Sequence, residues 1–240
     1  MKLSRDEIHV WSASLDIGSE QLAELERTLS PDEMARARRF YFERDRQKYI
    51  GRRGILRAIL ATYLETKPSA IRFLYNEFGK PRLEGSQEAH GLSFNLSHSG
   101  ALNLVAVGID REVGVDIELI DSSVASDEVA RRFFSPSEVA TLEALPQSLR
   151  LAGFFKCWAR KEAFIKARGM GLSIPLDSFD VSPIQDETVA LVRTANSAYL
   201  SNWKIEDLDI DPGCAAAVAA DGRDWKVALR NWSFGASRPN

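Results

Sequence analysis

Two stretches of this chain share one layout. Ser30-Pro31-Asp32-Glu33 and Ser135-Pro136-Ser137-Glu138 each put a serine at the N-cap, a proline at the first helical position and a glutamate three residues after the cap. That is a capping box opening a helix. A long amphipathic helix pattern follows each box, then short strands, and the two starts lie about 105 residues apart. The recurrence predicts an α+β fold of two similar halves related by a pseudo-twofold, each with a long helix packed on a small antiparallel sheet. Chance recurrence of two common helix starts is the alternative. The halves are expected over residues 1–108 and 109–240, the second carrying the metal and catalytic motifs. No low-complexity linker parts them, so a flexible two-domain chain is not expected.

Periodicity fills in the elements. A strand is expected over 8–13, a helix over 19–29, the capped helix from 31 toward 41, and a helix over 43–65. The last has an apolar stripe of Tyr49, Leu56, Ile59, Leu60 and Tyr63, interrupted by Arg52 and Arg53. A strand over 71–75 leads into the turn-rich loop Asn76-Glu77-Phe78-Gly79-Lys80-Pro81. A short strand over 92–96 is followed by Ser97-His98-Ser99-Gly100, read as a loop, then by strands over 102–107 and 113–119. In the second half a helix over 149–167 ends at Gly169 and Gly171, and strands are expected over 179–181, 189–192, 203–208 and 215–219.

Composition excludes several function classes. The 240 residues carry a formal net charge of −3, which gives no global pull toward nucleic acid. No apolar run approaches the ~20 residues of a membrane span, and the first residues lack the apolar core of a signal peptide. Cys157 and Cys214 supply neither a disulfide framework nor metal-ligand spacing. The expectation is a cytoplasmic protein.

Three constellations carry chemistry. Leu151, Phe155, Trp158, position 162 and Ile165 follow the steps of a buried helical stripe, and position 162 is a glutamate. A carboxylate there is costly unless satisfied by a cation, a metal or hydrogen bonds; a salt bridge to Lys161 or Lys166 is the structural alternative. Val115-Asp116-Ile117-Glu118 alternates, so both carboxylates share one strand face. With Glu162 they make a hard-oxygen set suited to Mg²⁺, or else a solvated strand face. Residues 36–57 hold nine cations, Arg36, Arg38, Arg39, Arg44, Arg46, Lys48, Arg52, Arg53 and Arg57, against Glu43 and Asp45. This reads as a local polyanion site, with Arg52 and Arg53 favoured because they sit at the apolar stripe. Of the histidines only His98 lies among hydroxyls and glycine.

In order, the chain carries Phe78-Gly79-Lys80-Pro81, Phe94-Asn95-Leu96-Ser97-His98-Ser99-Gly100, Gly114-Val115-Asp116-Ile117-Glu118, Arg132-Phe133-Phe134-Ser135 and Trp158-x-x-Lys161-Glu162-x-Phe164-x-Lys166. Gly169-x-Gly171-Leu172 and Pro175-Leu176-Asp177-Ser178-Phe179 follow. This ordered set strongly resembles the 4′-phosphopantetheinyl transferases, specifically the large, pseudodimeric type that activates surfactin synthetase, over residues 30–219. The resemblance implies transfer of phosphopantetheine from coenzyme A to a serine of an acyl or peptidyl carrier protein, with adenosine 3′,5′-bisphosphate as the other product. It implies that Asp116, Glu118 and Glu162 bind Mg²⁺ against the pyrophosphate, and that Lys80, Ser97 and His98 hold the nucleotide end. Arg52 would contact phosphate and Lys166 would reach the pyrophosphate, with Gly79, Pro81, Asn95 and Lys161 also around coenzyme A. Two departures stand out: Ala159 follows Trp158 where Ser or Thr is common, and Glu33 and Met34 stand where some relatives have lysines on the 3′-phosphate. Arg36 is the candidate to take that load.

A serine hydroxyl needs a base near neutral pH; Glu162 is the candidate, directly or through a water, with Lys166 on the departing charge. The expected partner is an acidic carrier protein docking near Arg131 and Arg132, where Phe133 and Phe134 give either apolar contact or core packing. A monomer is expected, without nucleic-acid or membrane partners. A Mg²⁺-dependent hydrolase of nucleotide pyrophosphates and a non-enzymatic module gripping a polyanion through the arginine-rich helices are the competing readings.

Overall fold

The computed structural model describes residues 1–123, 125, 127–182, 193, 194 and 202–235. The expected strand over 189–192 lies outside the described residues. The helices are α1 (Ser19–Glu26), α2 (Pro31–Ala37), α3 (Glu43–Leu64), α4 (Asp127–Phe133), α5 (Pro136–Ala144) and α6 (Gln147–Arg168). The strands are β1 (Glu7–Ser14), β2 (Phe73–Tyr75), β3 (Pro81–Leu83), β4 (Leu92–Ser99), β5 (Leu102–Ile109), β6 (Val113–Leu119), β7 (Phe179–Asp180), β8 (Arg193–Thr194), β9 (Trp203–Asp207), β10 (Cys214–Asp221) and β11 (Lys226–Asn231).

Both capping boxes form. Ser30 N donates to Glu33 Oε2 at 2.9 Å, and Ser135 N donates to Glu138 Oε2 at 2.9 Å. Each satisfies donors that a helix start leaves open. Both glutamates are also buried, and each is met by cations from the following long helix. Glu33 accepts from Arg53 Nε at 2.6 Å and Arg57 Nε at 2.7 Å, and Arg57 Nη1 donates onward to the Pro68 and Ile71 carbonyls. Glu138 pairs with Lys161 Nζ at 2.8 Å, and that ammonium donates to the Leu176 and Phe179 carbonyls, each at 2.6 Å. In both halves the box glutamate and the carbonyls after the long helix clamp one buried cation. The long helices α3 and α6 each run 22 residues.

Two main sheets follow. The first has the order β11-β1-β5-β4, the second β6-β10-β9; β2-β3 and β7-β8 are small pairs. The first sheet is mixed, because β11 lies parallel to β1 while β5 and β4 are antiparallel. This corrects the expectation of an antiparallel sheet and crosses the expected division at 108/109. β11 has no fully buried residue, and its apolar run in sequence is only the three residues Val227-Ala228-Leu229; it is held by its ladder to β1. β4 also runs on through Ser97, His98 and Ser99, where the sequence predicts a loop: its register with β5 continues to Ser99 opposite Leu102.

Strand alternation stacks these parts into four layers. On β5, Val105 and Val107 pack with Ile55, Leu56 and Ile59 of α3, while Leu104 and Ala106 face the second sheet. On β10, Ala215, Ala217 and Ala219 pack with Phe164 and the other buried residues of α6, while Ala216, Val218 and Ala220 face the first sheet. The order is α3, first sheet, second sheet, α6, and the inner layer buries Ile8, Val10, Val113, Val115 and Ile117 from water. At about 25 cal/mol per Å² of apolar surface, this sheet-on-sheet core is what holds the halves together.

Candidate active site

β6 is aimed by this layering. Val113, Val115 and Ile117 point into the inter-sheet core, so Asp116 and Glu118 point to the opposite face, under α6. Gly114 lets the strand approach the helix. A Cβ on it would stand 2.1 Å from the Ala163 carbonyl oxygen and 2.3 Å from the Ala167 backbone nitrogen. Contact of backbone with backbone brings the two β6 carboxylates beside Glu162 and Lys166, one helical turn apart on α6.

The other wall is β4, where Phe94 and Leu96 pack toward α3 and residues 95, 97 and 99 face the second half. Asn95 Oδ1 accepts from Val115 N at 3.1 Å, Ser97 Oγ donates to Asp116 Oδ1 at 2.8 Å, and Ser99 Oγ donates to Glu118 Oε2 at 3.3 Å. Lys166 Nζ completes the cluster, 2.6 Å from Asp116 Oδ1 and 2.9 Å from Ser97 Oγ. The structure does not form the alternative salt bridge of Glu162: Lys166 pairs with Asp116, and among the described residues no ion pair involves Glu162.

The carboxylates feel one another. Burial and then the Asp116 charge push Glu118 up to about 7, against the pull of Lys166. The same two causes raise Glu162. Asp116 is 2% exposed, and its Oδ2 is sealed from solvent with no hydrogen-bond partner. A buried carboxylate oxygen without a donor is costly, and like charges side by side call for a cation. Among the described residues no three such side chains already form a metal cage. The all-oxygen set and the orphaned Oδ2 nonetheless fit a hard divalent ion that keeps several waters, as Mg²⁺ does.

On the α3 side of β4, His98 alternates away from the carboxylates. Arg52 Nη1 lies 2.8 Å from both its ring nitrogens. Partial enclosure of the ring, then the charges of Arg52, Lys166 and Lys48, hold His98 down at about 4. A neutral imidazole can accept from Arg52; an imidazolium could not. Lys48 donates to the Gly100 carbonyl at 3.0 Å and so ties α3 to the turn after β4. The result is a cationic patch bordering an anionic one.

Several expected residues sit elsewhere. Lys161 is fully buried and occupied by Glu138 and two carbonyls, so it is a structural cation and not a coenzyme contact; its position next to Glu162 in sequence turns it to the other face of α6. Asn95 is 5% exposed and spends its oxygen on Val115. Lys80 Nζ donates to Glu112 at 3.0 Å and to the Ala167 carbonyl at 2.7 Å, capping the end of α6. What Gly79-Lys80-Pro81 still offers is backbone, beside a cavity lined by Asn76, Lys80, Pro81, Phe94, Glu112 and Gly169. Arg53 is committed to Glu33. Phe134 is 2% exposed and belongs to the core, while Phe133 is half-buried, edge-on against Trp158. Lys48 belongs to the expected cationic stretch, whereas Ser99 and Glu112 go beyond the expected site; the period-two run of small polar residues at 95, 97 and 99 is the available signal for Ser99.

Comparison with known proteins covers both halves. Residues 112–229 match the family model of the 4′-phosphopantetheinyl transferase superfamily, and residues 11–109 match that of the 4′-phosphopantetheinyl transferase N-terminal region. The chain is similar to 4′-phosphopantetheinyl transferase HetI of Nostoc sp., 39% identical over 94% of this chain and 92% of that one. It is also similar to 4′-phosphopantetheinyl transferase Sfp of Bacillus subtilis, 34% identical over 86% and 88%. Among solved structures, Thermotoga maritima holo-[acyl-carrier-protein] synthase superposes on 47% of this chain and 63% of its own at a TM-score of 0.37 and 18% identity.

Proposed function

The chain belongs to the 4′-phosphopantetheinyl transferase superfamily, in its Sfp type, and from that premise we propose that it moves the 4′-phosphopantetheine group of coenzyme A onto a serine of an apo acyl or peptidyl carrier protein in a Mg²⁺-dependent reaction. The observation that carries this reading is the cluster of Asp116, Glu118 and Glu162 around an oxygen with no partner, bordered by Arg52 and His98.

Asp116, Glu118 and Glu162 hold the ion. When bound, Mg²⁺ neutralises the pyrophosphate and makes its phosphorus more electrophilic. Arg52 and His98 hold the phosphates of the nucleotide end, and Gly79, Lys80 and Pro81 supply backbone contacts. Arg36 takes the 3′-phosphate, since Glu33 is an anion, already occupied by Ser30 N, Arg53 and Arg57. The carrier serine oxygen attacks the phosphorus that bears the pantetheine arm. Glu162, whose raised pKa makes it a better proton acceptor, takes the hydroxyl proton. The bond to the bridging oxygen breaks, and adenosine 3′,5′-bisphosphate leaves with the electron pair, its charge met by Lys166. The leaving group is a phosphate, so positioning and electrostatics supply most of the rate.

The matched clamps on Arg57 and Lys161 support a pseudo-twofold between the halves, one chain doing the work of a subunit pair and acting as a monomer. Intact mass spectrometry of several apo carrier proteins incubated with coenzyme A and Mg²⁺ tests the function. The expected gain is about 340 Da, the mass of the phosphopantetheine arm. Phosphopantetheine released into solution with no carrier modified would favour a hydrolase instead. No helix among the described residues is long and apolar enough to cross a membrane.

A further inference from the structure

We propose that Ser97 and Ser99, on β4 in the first half, are positioning residues that aim the carboxylates of Asp116 and Glu118 at the divalent ion from across the seam. The inference rests on the Mg²⁺ reading above and goes beyond it, because it moves Ser97 from the nucleotide to the metal site.

Register carries the first part of the argument. Asn95 takes the backbone N–H of Val115 and so sets the offset between β4 and β6. Two and four residues further along β4, the serines meet Asp116 and Glu118, the first at 2.8 Å and the second at 3.3 Å. The Leu119 N–H donates to Ser99 Oγ at 3.0 Å and holds that hydroxyl in place. The two strands belong to different sheets, so these side chains stand where a backbone ladder would otherwise join the edges.

Donor counting carries the second part. A serine hydroxyl has one proton. That of Ser97 goes to Asp116 Oδ1, and its oxygen accepts from Lys166. Ser97 therefore has no proton left for a nucleotide phosphate. Asp116 Oδ1 takes two donors, from Ser97 and Lys166, while Oδ2 takes none. Two donors on one oxygen fix the carboxylate plane and leave the other oxygen for a cation. Orienting partners of this kind are worth about 10- to 100-fold in metal affinity. Because the serines and the carboxylates come from edge strands of different sheets, the ion site is complete only when the two sheets are docked.

The test uses Mn²⁺ as the probe, titrated into the full chain without coenzyme A and followed by the electron paramagnetic resonance signal of free Mn²⁺. Wild type should bind one competing ion that Mg²⁺ displaces, and Asp116→Asn should bind it much more weakly; failure here overturns the metal reading itself. Given that site, Ser97→Ala should weaken Mn²⁺ by about 10- to 100-fold and Ser99→Ala by less, in line with its longer bond. Affinity for adenosine 3′,5′-bisphosphate, measured calorimetrically without metal, should stay within about twofold of wild type in Ser97→Ala. Wild-type Mn²⁺ affinity in Ser97→Ala overturns the proposal with the metal site intact, and so does a nucleotide loss as large as the metal loss. Should Ser97→Ala not fold, Ser97→Cys, which keeps the shape and donates weakly, is read the same way.

Discussion

Glu138 Oε2 stands 2.8 Å from the ammonium of Lys161, with both side chains sealed from solvent. The neighbouring residue, Glu162, faces the cleft. One step along α6 thus separates a structural ion pair from the proposed catalytic carboxylate. Removing one partner of a buried pair strands the other, at a cost of about 3–5 kcal/mol. Lys161→Ala should lower the unfolding free energy by that amount in urea titration. Glu138→Leu with Lys161→Met should recover part of it, while the adenosine 3′,5′-bisphosphate affinity of the folded protein stays near wild type. A nucleotide affinity that falls with Lys161→Met in the folded double variant would return Lys161 to the coenzyme site.

Gly114→Ala should be disproportionately harmful for one methyl group. Its Cβ would meet backbone atoms of α6 at 2.1 and 2.3 Å, which no rotamer change can relieve. The strand and helix must part, costing about 1–3 kcal/mol or more. Asp116 should move away from Lys166 with the strand, so Mn²⁺ affinity should fall alongside stability. Chemical denaturation and Mn²⁺ titration on the same sample check both; a stable variant with full Mn²⁺ affinity would mean the close approach is not what sets the carboxylates.

Glu162→Gln and Asp116→Ala separate proton acceptance from ion binding. Asp116→Ala should raise the Mg²⁺ requirement, with excess Mg²⁺ recovering part of the carrier-modifying activity. Glu162→Gln keeps a carbonyl oxygen but cannot take the serine proton. It should lower turnover by about 10²- to 10⁴-fold with little change in coenzyme A binding and no rescue by Mg²⁺. Full rescue would make Glu162 a ligand only and move the base to a metal-bound water.

His98 should stay neutral through physiological pH. Its folded value of about 4 lies below the ordinary 6.5 that the unfolded chain regains, because of enclosure and the charges of Arg52, Lys166 and Lys48. Between those values the unfolded chain binds the extra proton and the folded one does not, so stability falls as pH drops through that window and levels off below about 4. The pH dependence of unfolding should be shallower there in His98→Gln. Nuclear magnetic resonance should show the ring midpoint near 4, moving up when adenosine 3′,5′-bisphosphate is added, since a phosphate favours the charged ring. A midpoint near 6.5 in the free protein would show that Arg52 does not face the ring.

The expectations that held were local ones. Both capping boxes, the starts of α3 and α5, and the facing of Asp116 and Glu118 follow from patterns of three to seven residues, where each side chain's face is set by helical or strand period. The failures were also of one kind. Ser97, His98 and Ser99 read as loop because serine and glycine mark turns, yet β5 extends the ladder over them. β11 offers only the short apolar run Val227-Ala228-Leu229, and its ladder to β1 is what makes a strand of Lys226–Asn231.

By itself the sequence determined both capping boxes, the long helices α3 and α6, most of the longer strands, the membership in the transferase superfamily and the residue types of the candidate site. The tertiary structure decided which cation meets which carboxylate. Lys161 and Lys166 both follow Trp158 in one helical motif, yet one is clamped under Glu138 and the other pairs with Asp116 and reaches across the seam to Ser97. Period tells which face a residue occupies; it carries no information about what is packed on that face. That depends on the stacking of two sheets through Val113, Val115, Ile117, Leu104 and Ala106, a contact between segments that only a buried apolar core, and no local rule, brings together.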